Sequence, residues 1–461
     1  MKNVALHNLG CKVNSYEIEV MQQMLQEKGY NVVPFDEVAD IYIVNTCTVT
    51  NIADRKSRQM LHRAKQKNPN AIVVAVGCYV QTGKEAVELD ESIDLAIGNN
   101  RKKDLATILE AFLEERDKTL HDTTVIDVNN TYEYEEMTLK QTAEHARAYI
   151  KIQDGCNQFC SYCVIPYARG RVRSRKAEDI IAEIQGLVQA GYREIVLTGI
   201  HISSYGIDFE EGAWQQGKSL EKHLSEERLD YSGRGKLIDL IEKIHAISGL
   251  DRIRLGSLEP RIITKEAVER LAALPKICPH FHLSLQSGCD ETLKRMNRHY
   301  TTGEYFESVR LLREAFENPA ITTDVIVGFP GETEEEFEQT REFLEKICFY
   351  EMHVFKYSKR AGTRAAVMPN QVPDTIKTKR SNVLLEMEAR QSKEFRGHYI
   401  GKVAEVLLEE TKEIGGKNYQ LGHTKDYVKV AIEINEQNPE KPSNTLIELP
   451  INGFLTDDIM S

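Results

Sequence analysis

Three cysteines stand in the run Cys156-Asn157-Gln158-Phe159-Cys160-Ser161-Tyr162-Cys163, a C-x3-C-x2-C spacing. Thiolates are the usual ligands of iron–sulfur clusters, and four of them close a [4Fe–4S] cluster. Three in one short loop, with no fourth close by, leave one iron open to bind and activate a small molecule. The competing reading is a structural zinc. Zinc asks for four closed ligands, usually in paired C-x2-C units, and no second pair or H-x3-H unit follows here.

Three more cysteines, Cys11, Cys47 and Cys78, each end a short apolar run, at residues 4–10, 41–46 and 72–77. A helical pattern follows each run, so the runs read as buried parallel strands of an α/β sheet. Ligands of open α/β sheets collect beyond the carboxyl ends of the strands. The three thiols are therefore expected to converge in space as a second three-thiolate site. One cysteine at a strand end would be an ordinary small buried residue; three at equivalent ends favour a cluster. The first helix is expected to start at Asn14 as N-cap, with Glu17 closing a capping box, and to stop at Gly29.

The first trio needs its own scaffold. Strand patterns at 148–153, 194–198, 252–255, 281–285, 323–327 and 352–356 alternate with amphipathic stretches such as 177–190. Six βα units imply a partial (β/α)6 barrel, with chemistry at the carboxyl ends of the strands. Cys156 lies just past the first. The expected organisation is an N-terminal α/β domain over 1–125, a polar linker over 126–145, the partial barrel over 146–375 and a connecting helix over 376–396. A small C-terminal β-barrel over 397–461 completes it. Its strands are expected at 403–408, 427–430 and 446–449. A charged, glycine-dotted insertion at about 208–235 holds the only tryptophan, Trp214.

The totals set limits. The chain has 461 residues, 41% of them hydrophobic and 28% charged, so it reads as globular rather than disordered. No apolar stretch reaches membrane-spanning length, and the N-terminus shows no secretory signal. Nine cysteines in such a chain read as cytosolic metal or redox ligands rather than disulfides. Cys278, Cys289 and Cys348 fit no ligand pattern and read as packing residues. His7 and His282 read as core residues, because the thiols already account for both clusters.

Net charge is −12, so any nucleic-acid contact rests on local patches. One patch, Arg169-Gly170-Arg171-Val172-Arg173-Ser174-Arg175-Lys176, follows the cysteine triplet and contains no acid. The other holds Arg55, Lys56, Arg58, Arg63, Lys65 and Lys67, where a solvated helix face is an equal reading. Small barrels often bind oligonucleotides. Residues 396–461 nevertheless carry seven Lys/Arg against eleven Asp/Glu, so phosphate attraction there is weak.

Cys156, Cys160 and Cys163, with Tyr162 among them, resemble the radical S-adenosylmethionine (SAM) enzymes. The string from Asp154-Gly155-Cys156 to Tyr167-Ala168-Arg169-Gly170, with Cys11, Cys47 and Cys78, resembles the methylthiotransferases over essentially the whole chain. That resemblance implies a radical-SAM barrel, a TRAM-like C-terminal domain, two [4Fe–4S] clusters and SAM. The open iron on Cys156, Cys160 and Cys163 would chelate SAM, whose reduction yields a 5′-deoxyadenosyl radical. The cluster on Cys11, Cys47 and Cys78 would supply the sulfur, methylated by a second SAM and placed on adenine C2.

Of three branches, one acts on isopentenyladenosine in tRNA, one on threonylcarbamoyladenosine in tRNA, and one on an aspartate of a ribosomal protein. Leu9-Gly10-Cys11-Lys12-Val13-Asn14, Gly77-Cys78-Tyr79-Val80-Gln81 and Ser174-Arg175 most resemble the threonylcarbamoyladenosine branch, which implies adenosine 37 of the tRNA anticodon loop as substrate. The same resemblance assigns Tyr162, Thr198, Gly199, Gln286 and Asp324 to the cofactor. It also implies an electron donor such as a flavodoxin or ferredoxin, and a cytoplasmic location. A threonylcarbamoyl group carries a carboxylate, so Arg169, Arg171, Arg173 and Arg175 are candidate substrate contacts, though each could equally meet phosphate. A reading from another class is a non-catalytic iron–sulfur or RNA-binding module.

Overall fold

The computed structural model describes residues 2–115, 124–141, 146–209 and 234–461. Trp214, most of the 208–235 insertion and residues 142–145 lie outside them.

The first sheet runs in the order β2-β1-β3-β4-β5, all parallel. Its strands are β1 (Asn3–Asn8), β2 (Asn31–Val33), β3 (Ile41–Thr46), β4 (Ile72–Gly77) and β5 (Leu95–Ile97). Strand β3 is buried at every position, as a central parallel strand covered on both faces must be. The three strands that precede the cysteines, β1, β3 and β4, are immediate neighbours.

Two further sheets make the central unit: β7-β6-β8-β9 and β10-β11-β12. They comprise β6 (Ala148–Asp154), β7 (Arg173–Ser174), β8 (Glu194–Gly199), β9 (Arg252–Leu255), β10 (His280–His282), β11 (Ala320–Val327) and β12 (Glu351–Lys356). Parallel bridges Ile253 to Ile277 and Leu258 to Leu283 join the two sheets into one wall. Six of its strands are parallel; β7 is a short antiparallel addition beside β6.

Side chains alternate across a strand. Here Ile195, Leu197, Ile253, Leu255, Phe281, Leu283 and Val325 pack into the large core with helix residues such as Ile180, Ile184 and Ile241. The intervening positions, among them Lys151, Thr198, Arg254, His282, Asp324 and His353, face the concave side. That lumen is polar, unlike the packed apolar interior of a closed eight-stranded barrel.

The helix Lys12–Glu27 runs from the first sheet onto this unit. It starts at Cys11 without a side-chain cap, not at Asn14. Asn14 and Glu17 are both about 1% exposed and are used elsewhere, which is why the expected capping box does not form. Asn14 donates to Leu9 O at 2.7 Å and Thr46 O at 3.0 Å. Glu17 accepts from Lys151 at 2.8 Å, from Arg169 at 2.9 Å, and from Lys102.

The last sheet is antiparallel, in the order β15-β14-β13-β16. It holds β13 (Val403–Ile414), β14 (Lys417–His423), β15 (Lys429–Glu433) and β16 (Leu446–Pro450). Strands β15 and β16 do not pair with each other; the chain end covers β15 through a bridge between Val430 and Met460. This sheet docks on the amino-terminal rim of the central strands. Arg252 donates to Glu405 O at 2.8 Å and His423 O at 3.0 Å, and Arg254 donates to Lys425 O at 2.8 Å. Arg147 and Arg254 lie over the Tyr427 ring at 4.8 and 4.7 Å. The carboxyl-end rim stays free for the cysteines. No helix among the described residues is long and apolar enough to cross a membrane.

Candidate active site

The loop Cys156–Cys163 leaves the carboxyl end of β6 through Gly155, whose φ is +72°. A Cβ there would stand 1.8 Å from Arg171 O, so no side chain fits where the loop folds back. The Cys156 amide closes that return on Gly170 O at 3.0 Å. The far side is tied to the segment after β10. Ser161 donates from its amide to Met296 O at 2.9 Å, and Asn297 Nδ2 donates to Phe159 O at 3.1 Å. Three thiols are thus fixed by backbone at one strand end.

Burial first, then the neighbouring Cys160, pushes the Cys156 thiol well above its ordinary value and Cys163 up to about 12. Opposing that, Arg298 donates to Cys160 Sγ at 3.2 Å. Three half-buried thiols beside one fixed guanidinium suit a cationic centre that takes them as thiolates and releases their protons.

Cys11, Cys47 and Cys78 meet at the ends of β1, β3 and β4. A Cβ on Gly10 would stand 3.0 Å from Cys47 Sγ, so the chain passes directly over that thiol. Burial, with Cys78 and Cys11 nearby, pushes Cys47 up to about 11. Asn99 Nδ2 approaches Cys78 Sγ at 3.4 Å and also donates to Ala168 O at 2.7 Å, which links this trio to the segment behind the first. Arg169 makes the second link. It donates to Asn14 Oδ1 at 2.6 Å and to Asp154 at 3.1 Å, besides Glu17. One guanidinium therefore binds the helix capped by Cys11 to the strand that leads into Cys156.

That placement corrects the reading of the arginine run. Arg169, Arg173 and Arg175 are 0–1% exposed. Arg175 is paired with Glu183, and Arg173 lies 3.8 Å from Asp154. Asp154 and Glu183 flank the run rather than interleave with it, so it looked uncompensated in sequence. Arg169 and Arg175 are engaged inside the protein, and Arg173, equally buried, makes no hydrogen bond through its guanidinium among the described residues. Arg171 alone keeps solvent access, stacked 4.5 Å over Phe159.

Tyr162 packs edge-on to Phe329 at 6.2 Å beneath the cysteine loop. Thr198 and Gly199 end β8, where a Cβ on Gly199 would meet Gln153 O at 2.9 Å. Gln286 takes a φ of +70° and bonds through its amide to Asp324 O at 2.9 Å. Asp324 sits lower, midway along β11, with its carboxylate 3.4 Å from His282 Nε2.

Sequence reasoning missed Arg298, His201 and Glu259. His201 and Glu259 follow β8 and β9 and pair at 3.2 Å; Gln158 of the cysteine loop donates to Glu259 at 3.3 Å. Burial alone would raise the Glu259 carboxyl, but His201 and Arg298 hold it below its ordinary value. An acid just past a strand's carboxyl end was the available signal. A surface cleft of about 560 Å³ lined by Glu136, Lys140 and Arg175 lies on the outer side of helix Ala177–Gln189, remote from both trios.

Comparison with known proteins follows the same division. Residues 150–344 match the Radical SAM superfamily, and residues 3–98 match "Uncharacterized protein family UPF0004". The chain is 40% identical to the threonylcarbamoyladenosine tRNA methylthiotransferase MtaB of Bacillus subtilis, across 95% of this chain and 91% of that one. It is 39% identical to the protein of that name from Aquifex aeolicus, across 90% and 95%. It is also 36% identical to the tRNA-2-methylthio-N(6)-dimethylallyladenosine synthase of Thermoanaerobacter sp., across 88% and 83%. Among solved structures, the radical SAM methyltransferase TsrM of Kitasatospora setae matches with a TM-score of 0.55 over 79% of this chain and 77% of that one, at 17% identity. That likeness is one of fold.

Proposed function

Because the chain belongs to the radical SAM methylthiotransferase family, we propose that it converts N6-threonylcarbamoyladenosine at position 37 of tRNA to its 2-methylthio derivative. What supports this reading is the pair of thiol trios, linked through Arg169, which joins the helix that begins next to Cys11 to the strand that precedes Cys156. When bound, a [4Fe–4S] cluster with SAM would supply hydrogen abstraction at adenine C2, and a second cluster the sulfur.

The chain's own residues do the positioning. Cys156, Cys160 and Cys163 would hold the first cluster, with Arg298 donating to Cys160 Sγ. Cys11, Cys47 and Cys78 would hold the second, in a cradle that Gly10 leaves open. Tyr162, Thr198, Gly199 and Gln286 would line the SAM site at the carboxyl-end rim, with the Glu259–His201 pair as a further polar anchor. Asp324 lies below that rim, within the lumen. The exposed Arg55, Lys56 and Arg58 of helix Asn51–Lys67, with Arg171, would meet tRNA phosphate. An electron donor of the flavodoxin or ferredoxin type and a cytoplasmic setting complete the proposal.

The rival substrate, isopentenyladenosine, carries an apolar arm. A lumen face carrying His282, Asp324 and His353 offers such an arm little apolar contact, and polar groups left unpaired against it cost about 1–3 kcal/mol each. The test is nucleoside mass spectrometry of tRNA from cells with and without the gene. The 2-methylthio derivative of threonylcarbamoyladenosine should vanish on deletion and its unthiolated parent accumulate. Loss of the isopentenyl derivative instead would transfer the reading to the rival.

A further inference from the structure

Phe355 is 47% exposed although it lies on a barrel strand. The alternation of β12 shows which way it points. Met352 and Val354 belong to the core that also holds Leu384 and Met387 of helix Asp374–Gly397. Lys356 turns the same way, its ammonium 3.2 Å from Thr378 Oγ1 on that helix. His353 and Phe355 therefore face the lumen. In the register of β11 against β12, Phe355 lies beside Ile326, and the polar pair Asp324 and His353 lies one layer deeper.

Ile326 ties this ring to the cysteine loop. It packs, as Tyr162 does, against a small cluster that includes Met296, Phe329 and Tyr357. Phe355 itself joins none of the apolar clusters among the described residues. Its strand is the edge of its sheet, with β11 as the one strand neighbour among the described residues. The lumen is thus open on that side, where a base still attached to its polynucleotide can be laid in. A base that undergoes chemistry must leave the stack of its own strand. A flat, uncovered ring next to the cysteine loop offers it a replacement, because every base has a π-face.

We propose that the Phe355 ring is the surface on which the target adenine stacks. The inference rests on an RNA adenine being the substrate, as proposed above. SAM carries an adenine too, but the rim residues assigned to it follow β6, β8 and β10, whereas Phe355 stands on the last strand, at the open edge. Stacking is blind to the group on N6. It therefore serves to align the ring that carries C2, and leaves the choice among modified adenines to other contacts.

The test measures binding of anticodon stem-loops to the reconstituted holoenzyme by fluorescence anisotropy. One loop carries threonylcarbamoyladenosine at position 37 and the other an abasic site there. Phe355→Ala should raise Kd for the modified loop by roughly 10–100-fold, the weight of one base stacked on an aromatic ring. The abasic loop should bind as it does to wild type. Phe355→Trp should restore most of the loss and Phe355→Leu little of it, because leucine is apolar but has no π-face. Iron per chain and the thermal midpoint, measured alongside, should match wild type. Equal loss on both loops, or none on either, would overturn the assignment. So would a raised KM for SAM measured without RNA, which would give the ring to the cofactor. Turnover by wild type of an isopentenyladenosine loop alone would instead strike down the substrate reading. The same comparison, run with that base against the abasic loop, would still decide the ring's role, because both bases are adenines.

Discussion

Cys156→Ala is expected to abolish reductive cleavage of SAM while the purified, reconstituted protein keeps about four of about eight irons. The reason is local. Cys156 is one of three thiols fixed within a single loop, and its amide already closes the return of the chain on Gly170. Removing Sγ leaves the loop backbone in place but only two thiols, Cys160 and Cys163, for a cluster that needs three to keep one iron open. The second trio sits at the ends of other strands and should be untouched. Cleavage assayed as 5′-deoxyadenosine release should fall to background. Persistent release from Cys156→Ala would mean that this loop does not carry the radical chemistry.

Glu17→Ala should be the most damaging substitution outside the cysteines. The Glu17 carboxylate is shared by Arg169, Lys151 and Lys102, all with side chains at most 1% exposed. Removing one partner from a buried ion network leaves uncompensated charge, at a cost of about 3–5 kcal/mol. Burial pushes the Glu17 carboxyl upward, but the three cations outweigh it and hold it well below the ordinary carboxylate range. A depressed folded-state pKa contributes stability above the unfolded value and loses it as pH falls through the folded one. The loss from Glu17→Ala should therefore be full at neutral pH and shrink only in strong acid. It should appear as a lower midpoint of thermal unfolding. Because Arg169 then keeps only its Asn14 contact to the helix that starts at Cys11, product formation should fall further than SAM cleavage. An unchanged midpoint, or equal losses in both assays, would refute the network's role.

The alternating strands and helices of the first hundred residues were legible because strictly apolar parallel strands leave a pattern that composition alone preserves. The six barrel strands were legible from alternation instead, apolar toward the helices and polar toward the lumen. What sequence hid was pairing across distance. Arg173 and Arg175 read as an uncompensated basic run because Asp154 and Glu183 approach only in the fold. Asn14 and Glu17 matched a capping box at three-residue spacing, yet tertiary ion pairs outcompete a cap worth about 1 kcal/mol. His282 read as a core residue; its half-buried place beside Asp324 and His353 depends on the register of β11 against β12, which pairs Asp324 with His353. Arg298 and Glu259 carried no motif of their own, and only the approach of the segment after β10 to the cysteine loop exposes their position. Three of the four C-terminal strands were read; β14 was not, and the closure by the chain end rather than by a β15–β16 pair was not written in any local pattern.

Two trios with separate tasks can be tested in one preparation. A variant with Cys11, Cys47 and Cys78 all changed to alanine should be reconstituted beside wild type and supplied with SAM, reductant and threonylcarbamoyladenosine stem-loop. The expected result is a drop from about eight to about four irons per chain, retained 5′-deoxyadenosine release, and no 2-methylthio product. Product formation by that variant, or loss of 5′-deoxyadenosine release along with its irons, would contradict the division of labour between the trios.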